Sequence, residues 1–348
     1  MMNFDGKVFN NLKAIESINY IDRSFLQYKS QIKNIHILNY LLLTLSIFLI
    51  FLPLLIIFKV RRGSINQGDI IAVLPNKNIL PETFKGKRIV YIRKFFNFEV
   101  NLKDIVFLYK LIFRHFFHFY FWVKCVLVVL SYSGIAKRSE AEVLVSNEYS
   151  FASSVLTLYL NSYGKIVSNC MHGEKVLCQR DCFSTYDNFY VWDSYYINLL
   201  KKMNVKANFF ISTCDALDLN IENNNTNNNI VFYLQGIEKI NDLRIIKDKL
   251  IILSKKYDCP FFVKPHPRYL SNELRMIFDE SEILNLDFNE AIKITSIICS
   301  NYSTVLFQVY AYRKKNNLEH PVIVVNDLVS LPLMYIMKDK ADHLFSEI

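Results

Sequence analysis

Glycine is scarce, with 8 in 348 residues. Phosphate sites cradled by glycine-rich loops are therefore not expected, and their motifs are missing. The chain has no G-x-x-x-x-G-K-[ST] loop, no G-x-G-x-x-G after a strand and no G-x-S-x-G elbow. It also has no D-x-D motif, so chemistry without a metal or other cofactor is expected. The net charge is +9, yet no long Lys/Arg block carries it. Without a nucleic-acid-binding signature, phosphorylated substrates and anionic lipid are the expected partners, and nucleic acid is not. The seven cysteines are odd in number and widely spaced, which suits free thiols in a reducing compartment. What the chain has in excess is apolar character: 52% hydrophobic and 15% aromatic residues against 21% charged. That excludes a disordered chain, and the length allows two domains.

The apolar excess is concentrated. Residues 37–58 read ILNYLLLTLSIFLIFLPLLIIF, 22 residues without a charge. At about 1.5 Å per residue such a run reaches roughly 30 Å, the thickness of a hydrocarbon core. A cleaved signal is a poor fit, because 36 residues precede the run and no small-residue cleavage site follows. Lys59, Arg61 and Arg62 come directly after it, which places the larger part of the chain in the cytoplasm. The expectation is an N-terminal tail (1–36) followed by a single-pass transmembrane helix (37–58). A second apolar stretch, 106–130, contains Lys110, Arg114, His115, His118 and Lys124. Lys110, Arg114, His118 and Lys124 share an arc of a helix, which suggests a segment lying at the headgroup level. An ordinary lobe helix is the competing reading.

Beyond Asp69 the chain alternates short apolar runs with helical stretches. Strands are expected at 70–74, 88–92, 142–146, 165–168 and 188–191, with helices at 149–161 and 194–203. Continuous apolar strands in a β-α-β rhythm predict a parallel sheet. The Asn-rich segment within 222–229 has no structural period and is expected to link two lobes. The rhythm resumes in 230–348, with strands at 230–234, 260–264, 296–299 and 321–325. The expected fold is α/β, two Rossmann-like lobes (59–221 and 230–348). Ligands would bind beyond the C-terminal strand ends, in a cleft between the lobes.

Three clusters stand at expected strand ends. Val263-Lys-Pro-His-Pro-Arg268 braces His266 between prolines and flanks it with Lys264 and Arg268, a pattern suited to an oxyanion. Cys299-Ser-Asn-Tyr-Ser-Thr304 opens a helix, where Ser300, Ser303 and Thr304 could bind an anion or merely cap the helix. Asn169-Cys-Met-His-Gly-Glu174 offers His172 as a general base, with Glu174 second. Cys170, His172, Cys178 and Cys182 could also be read as a zinc set, although they lack a C-x-x-C pair.

The pairing of KPHP with a following S-x-x-S-T helix start resembles bacterial glycosyltransferases of the two-lobed GT-B type. The resemblance is greatest to sialyltransferases, polysialyltransferases and capsule Kdo transferases, which use CMP-sugars. CDP-glycerol glycerophosphotransferases share a similar pair. The resemblance implies nucleotide-phosphate binding by His266, Ser303 and Thr304, and a His-Gly at the reaction centre, here His172-Gly173. The acidic pair before glycine that serves sialyltransferases as base is missing; the counterpart is Leu234-Gln-Gly236. The function implied is transfer of a sugar from a nucleotide donor to a lipid-linked or surface-glycan acceptor. The setting implied is the cytoplasmic face of the bacterial inner membrane. Two alternatives stand beside it: a CDP-glycerol-type glycerophosphotransferase, and a non-catalytic membrane scaffold with a degenerate transferase lobe.

Overall fold

The computed structural model describes residues 5–14, 19–31, 68–92, 99–138, 142–219, 228–236, 238–266, 272–301, 303–328 and 335–348. The apolar run 37–58 and most of the Asn-rich segment lie outside these residues. Two compact units emerge. The first is Met1–His172 with Cys178–Cys214; the second is Gly173–Leu177 with Asp215–Ile348. The boundary at Asp215 precedes the Asn-rich segment. The short turn Asp215–Leu217 belongs with the second unit because Gln308 donates to the Ala216 carbonyl and Lys315 pairs with Asp218.

The first unit opens with helices α1 (Gly6–Ala14) and α2 (Tyr20–Gln31). Strands β1 (Ile70–Val73) and β2 (Ile89–Tyr91) follow, then helices α3 (Leu102–Arg114) and α4 (Phe119–Arg138). After them come β3 (Glu142–Val145), α5 (Ser153–Asn161), β4 (Val167–Cys170), β5 (Thr185–Val191), α6 (Ser194–Lys202) and β6 (Lys206–Ile211). The sheet is wholly parallel, in the order β2-β1-β3-β4-β5-β6. β1 and β4 are buried along their whole length, as strands covered on both faces must be. β6 has no counterpart among the expected strands. It is an edge strand, and its half-exposed Lys-Ala-Asn-Phe-Phe-Ile pattern lacks the continuous apolar run that marked the others.

The second unit contains β7 (Asn229–Tyr233), α7 (Ile240–Tyr257), β8 (Phe261–Lys264), α8 (Asn272–Ile277) and α9 (Phe288–Lys293). It continues with β9 (Thr295–Ser300), α10 (Thr304–Asn316), β10 (Val322–Val325) and β11 (His343–Leu344). This sheet is also parallel, ordered β11-β10-β9-β7-β8. Its core joins the inner faces of these strands to Leu243, Ile246, Leu250 and Leu253, spaced to line one face of α7. The α/β expectation of two Rossmann-like lobes holds in both units.

Two features of the first unit depart from expectation. Stretch 106–130 is not one helix: α3 ends at Arg114 and α4 begins at Phe119. The break is held by His115, whose ring stacks on Phe25 at 3.9 Å and whose Nε2 lies 3.1 Å from an Asp22 oxygen. Among the described residues one helix, Phe119–Lys137, is long and apolar enough to cross a membrane, but 61% of its apolar window is buried.

The second departure is α2, which is part of the core rather than a tail. Arg23, Ser24, Gln27 and Ser30 are buried. Arg23 Nε donates to Thr185 Oγ1 at 2.6 Å, and Gln27 Nε2 donates to the Glu148 carbonyl at 2.9 Å. A single crossing of a bilayer by 37–58 would set α2 and the sheet on opposite sides. Their packing makes α2 part of the first unit; the single-pass expectation itself falls on 37–58, outside the described residues.

Candidate active site

Each sheet reverses its winding once. In the first unit the chain goes from β1 to β2, then returns to the other side of β1 for β3. In the second it goes from β7 to β8, then returns beside β7 for β9. The C-terminal ends of strands flanking such a reversal leave a crevice where ligands of parallel α/β sheets bind. The candidate residues lie at or beside these ends.

In the first unit β3 delivers Ser146, Asn147 and Glu148, and its neighbour β4 delivers His172. The His172 Nδ1 lies 2.9 Å from Ser146 Oγ and 3.0 Å from Glu148 Oε1. Glu148 is fully buried, while the His172 side chain is 28% exposed. Nδ1 thus faces both the Ser146 hydroxyl and the Glu148 carboxylate, and a proton held on Nδ1 would leave the Nε2 lone pair available. Nε2 engages none of the described residues. Tyr149 packs edge-on against the imidazole at 5.4 Å.

The buried carboxylate is itself supported. Asn169 Nδ2 donates to Glu148 Oε2 at 3.3 Å, and Asn169 Oδ1 accepts the Asn147 N–H at 3.0 Å. Tyr186 Oη donates to Asn147 Oδ1 at 3.1 Å. Polar residues inside a fully buried strand are costly unless paired, and β4 pairs both of its own. Ser168 bonds to Glu142 and accepts from Asn188 Nδ2 at 3.1 Å. The out-of-place Ser168-Asn169 within β4 was the sequence signal that something polar lies at that strand's end.

In the second unit Ser303 is the N-cap of α10, and its side chain accepts the Val305 N–H at 3.4 Å. Thr304 begins the helix, and its Oγ1 accepts the Glu174 N–H at 3.1 Å. Both hydroxyls accept in these bonds and retain an O–H to donate. They stand at the positive end of a 13-residue helix. Gly173 lies against the same turn: a Cβ built on it would sit 3.8 Å from Thr304 Oγ1, an ordinary contact.

Ser300 is placed differently. It is buried at the end of β9, and its hydroxyl donates to the Tyr233 carbonyl at 2.6 Å, so its proton is unavailable to an anion. Lys264 ends β8 and donates from Nζ to the Leu286 carbonyl. Burial pushes its ammonium pKa down, against the opposing pull of Asp287 and Glu290. Lys264 therefore faces the 286–290 turn. His266 is half-buried two residues past β8, and Arg268 lies outside the described residues.

One carboxylate escaped the sequence reading. The Leu234-Gln-Gly236 turn contains no acid, but Glu238 folds back over it. Its oxygens accept the N–H groups of Gln235 and Gly236, each at 2.8 Å, and Asn301 Nδ2 at 3.1 Å. Asn301 Oδ1 in turn accepts from Asn326 Nδ2 at 2.9 Å. This polar chain ties together the C-terminal ends of β7, β9 and β10. Gly236, at φ +75°, allows the turn that brings the carboxylate back.

Among the described residues, no three His, Cys, Asp or Glu side chains are grouped to hold a metal ion. Cys170, Cys178 and Cys182 are free and buried. Cys170 Sγ is directed at the Val145 carbonyl and Cys182 Sγ at that of Cys178. The zinc-set arrangement does not form.

No protein family profile matches the chain, and no curated protein matches it. Among solved structures, a UDP-N-acetylglucosamine 2-epimerase from Rickettsia bellii matches with a TM-score of 0.43 and 12% identity. The match covers 75% of this chain and 79% of that one.

Proposed function

We propose that this protein is a glycosyltransferase that moves a sugar from a nucleotide donor, a CMP-sugar by preference, to a hydroxyl of a lipid-linked or surface-glycan acceptor. The observation that carries the reading is the His172–Glu148 pair: a partly exposed imidazole whose Nδ1 is 3.0 Å from a fully buried carboxylate. A base oriented by a third group is the arrangement that hydroxyl activation needs.

In the proposed reaction His172 Nε2 takes the proton of the acceptor hydroxyl while its oxygen forms the new bond to the anomeric carbon. The bond from that carbon to the phosphate oxygen breaks, and its electron pair leaves with the nucleotide. Glu148 stabilises the resulting imidazolium. The departing charge falls to the α10 N-terminus, the Ser303 and Thr304 hydroxyls, and His266, with Lys264 and Arg268 supplying more distant positive charge. Ser300 and Glu238 shape the strand ends, and Glu174 holds its segment to Thr304 through its backbone. No cofactor is required by this scheme.

The proposed setting is the cytoplasmic face of a bacterial inner membrane. The apolar run 37–58, the basic residues after it and seven buried free cysteines support that setting. Because α2 and the first sheet form one unit, the association proposed is with one face of the bilayer.

The test is a binding and transfer panel with CMP-, CDP-, UDP- and GDP-linked donors. CMP-sugar binding with acceptor-dependent CMP release is expected. Binding and turnover with CDP-glycerol alone would replace the reading by a glycerophosphotransferase using the same base. Failure to bind any nucleotide would overturn the transferase and favour a scaffold.

A further inference from the structure

We infer that helix α3 and the turn following it form a docking surface for an anionic lipid bilayer. The inference shares with the proposed function only the premise that the protein works at a membrane; it does not depend on the transfer chemistry.

The argument begins with the way α3 is held. Its buried side is polar at the centre. Asp104 is fully buried and accepts from Lys137 Nζ at 2.6 Å, Tyr159 Oη at 2.8 Å and Tyr163 Oη at 2.6 Å. Asn101 and Asp104 close a capping box at the helix start. Leu111 is buried one face-repeat further on. At the other end Arg114 makes two bonds to Asp22, at 2.6 and 2.5 Å. These contacts fix the rotation of the helix.

That rotation leaves the apolar side outward. Leu102, Ile105, Val106, Tyr109 and Phe113 are all exposed, Leu102 at 75% and Phe113 at 70%. At about 100° per residue they fall within an arc of about 100°, opposite Asp104 and Leu111. The turn extends the stripe with Phe116 and Phe117, the latter 82% exposed. A soluble helix presents the reverse pattern, and an exposed stripe this continuous marks an interaction site.

The cations identify the partner. Lys103, Lys110 and Arg114 lie at positions i, i+7 and i+11, forming a row along one edge of the stripe. Asp22 offsets the charge of Arg114, so Lys110 and Lys103, whose Nζ also donates to the Ser162 carbonyl, carry the row's net positive charge. An apolar face bordered by Lys and Arg is the pattern of a helix lying in the plane of an anionic interface. A symmetric contact of α3 with α3 of a second copy would set two cationic rows against each other, because the only acid of α3 is the buried Asp104. The chain's other apolar feature points the same way. Ile37, where the uncharged run begins, comes six residues after Gln31, the last residue of α2. That helix is bound to the end of α3 through Asp22 and Phe25.

The test uses the full chain, with Phe113→Cys and Phe117→Cys variants each labelled with an environment-sensitive dye; the native cysteines are all buried. Met276→Cys, at an exposed position of α8 in the second unit, is the control. Vesicles contain brominated phosphatidylcholine, alone or mixed with phosphatidylglycerol. The expected result is quenching at 113 and 117 that exceeds the control severalfold and grows with phosphatidylglycerol content. Two results would overturn the inference. Quenching by aqueous iodide but not by brominated lipid would show the stripe in water. Protection from both quenchers would show it covered by protein, whether residues 37–58 or a second copy. Neither result bears on donor binding, so the proposed function stands or falls separately.

Discussion

His172 and His266 should part company when each is removed. His172→Ala takes away a group that acts on the acceptor proton, so turnover should fall roughly 10²–10⁴-fold. Donor affinity should stay within about twofold, because the nucleotide contacts are assigned elsewhere. Glu148→Gln should lower turnover in the same direction with unchanged donor affinity, because an amide cannot stabilise the imidazolium. A near-normal rate in either variant would remove the pair from the reaction. His266→Ala should instead weaken donor binding by about 1.5–3 kcal/mol, the worth of a hydrogen bond to a charged group. Titration calorimetry with the nucleotide and initial rates on the same preparations separate the two behaviours. In the sequence Glu148 stands two residues beyond an expected strand and 24 before His172, with no local pattern to join them. Only pairing of β3 with β4 brings the two within 3.0 Å. Ser300 illustrates the converse: a hydroxyl in the right sequence context whose proton the fold directs at a neighbouring strand's carbonyl.

At the scale of the element, the short apolar strands were legible because burial on both faces leaves little choice of residue. Helices were less so where tertiary contacts override local preference. The stretch 106–130 reads as one apolar helix, yet His115 stacking on Phe25 from a distant segment divides it. The polar anchor of α3 gives a pH prediction. Burial alone would push the Asp104 carboxyl up, but hydrogen bonds from Lys137, Tyr163, the Asn101 N–H and Tyr159 outweigh it and hold it below its ordinary value. A carboxyl lowered in the folded state adds stability above its unfolded pKa, and that stability is lost as pH falls through the folded value. Urea midpoints should therefore drop as pH falls below about 4. Asp104→Asn should destabilise the protein at neutral pH by about 3 kcal/mol, because Lys137 loses its partner with little access to water. The same variant should show a shallower acid limb; an unchanged limb would mean other carboxylates dominate it.

For the molecule as a whole, the decisive element is α2. With Arg23 and Gln27 bonded to Thr185 and Glu148, α2 and the first sheet belong to one unit. Epitope tags at Met1 and Ile348 should accordingly be digested from the same side of sealed inverted membrane vesicles. Protection of one tag alone would restore a single crossing and require α2 to leave its site. Replacing residues 37–58 with a polar linker should leave the fold intact, whereas deleting residues 1–62 should destabilise the first unit by uncovering the α2 site. Circular dichroism melts of the two constructions distinguish these outcomes. The sequence by itself determined what repeats locally: two runs of β-α-β rhythm, an uncharged membrane-length run, and polar clusters at strand ends. Periodicity is a property of neighbouring residues, so it survives without tertiary information. Tertiary structure alone decided which strands adjoin, that Glu148 meets His172, that Glu238 folds back to Gly236, and which way α3 turns its apolar side. Each depends on contacts between residues far apart in the chain, which local pattern does not encode.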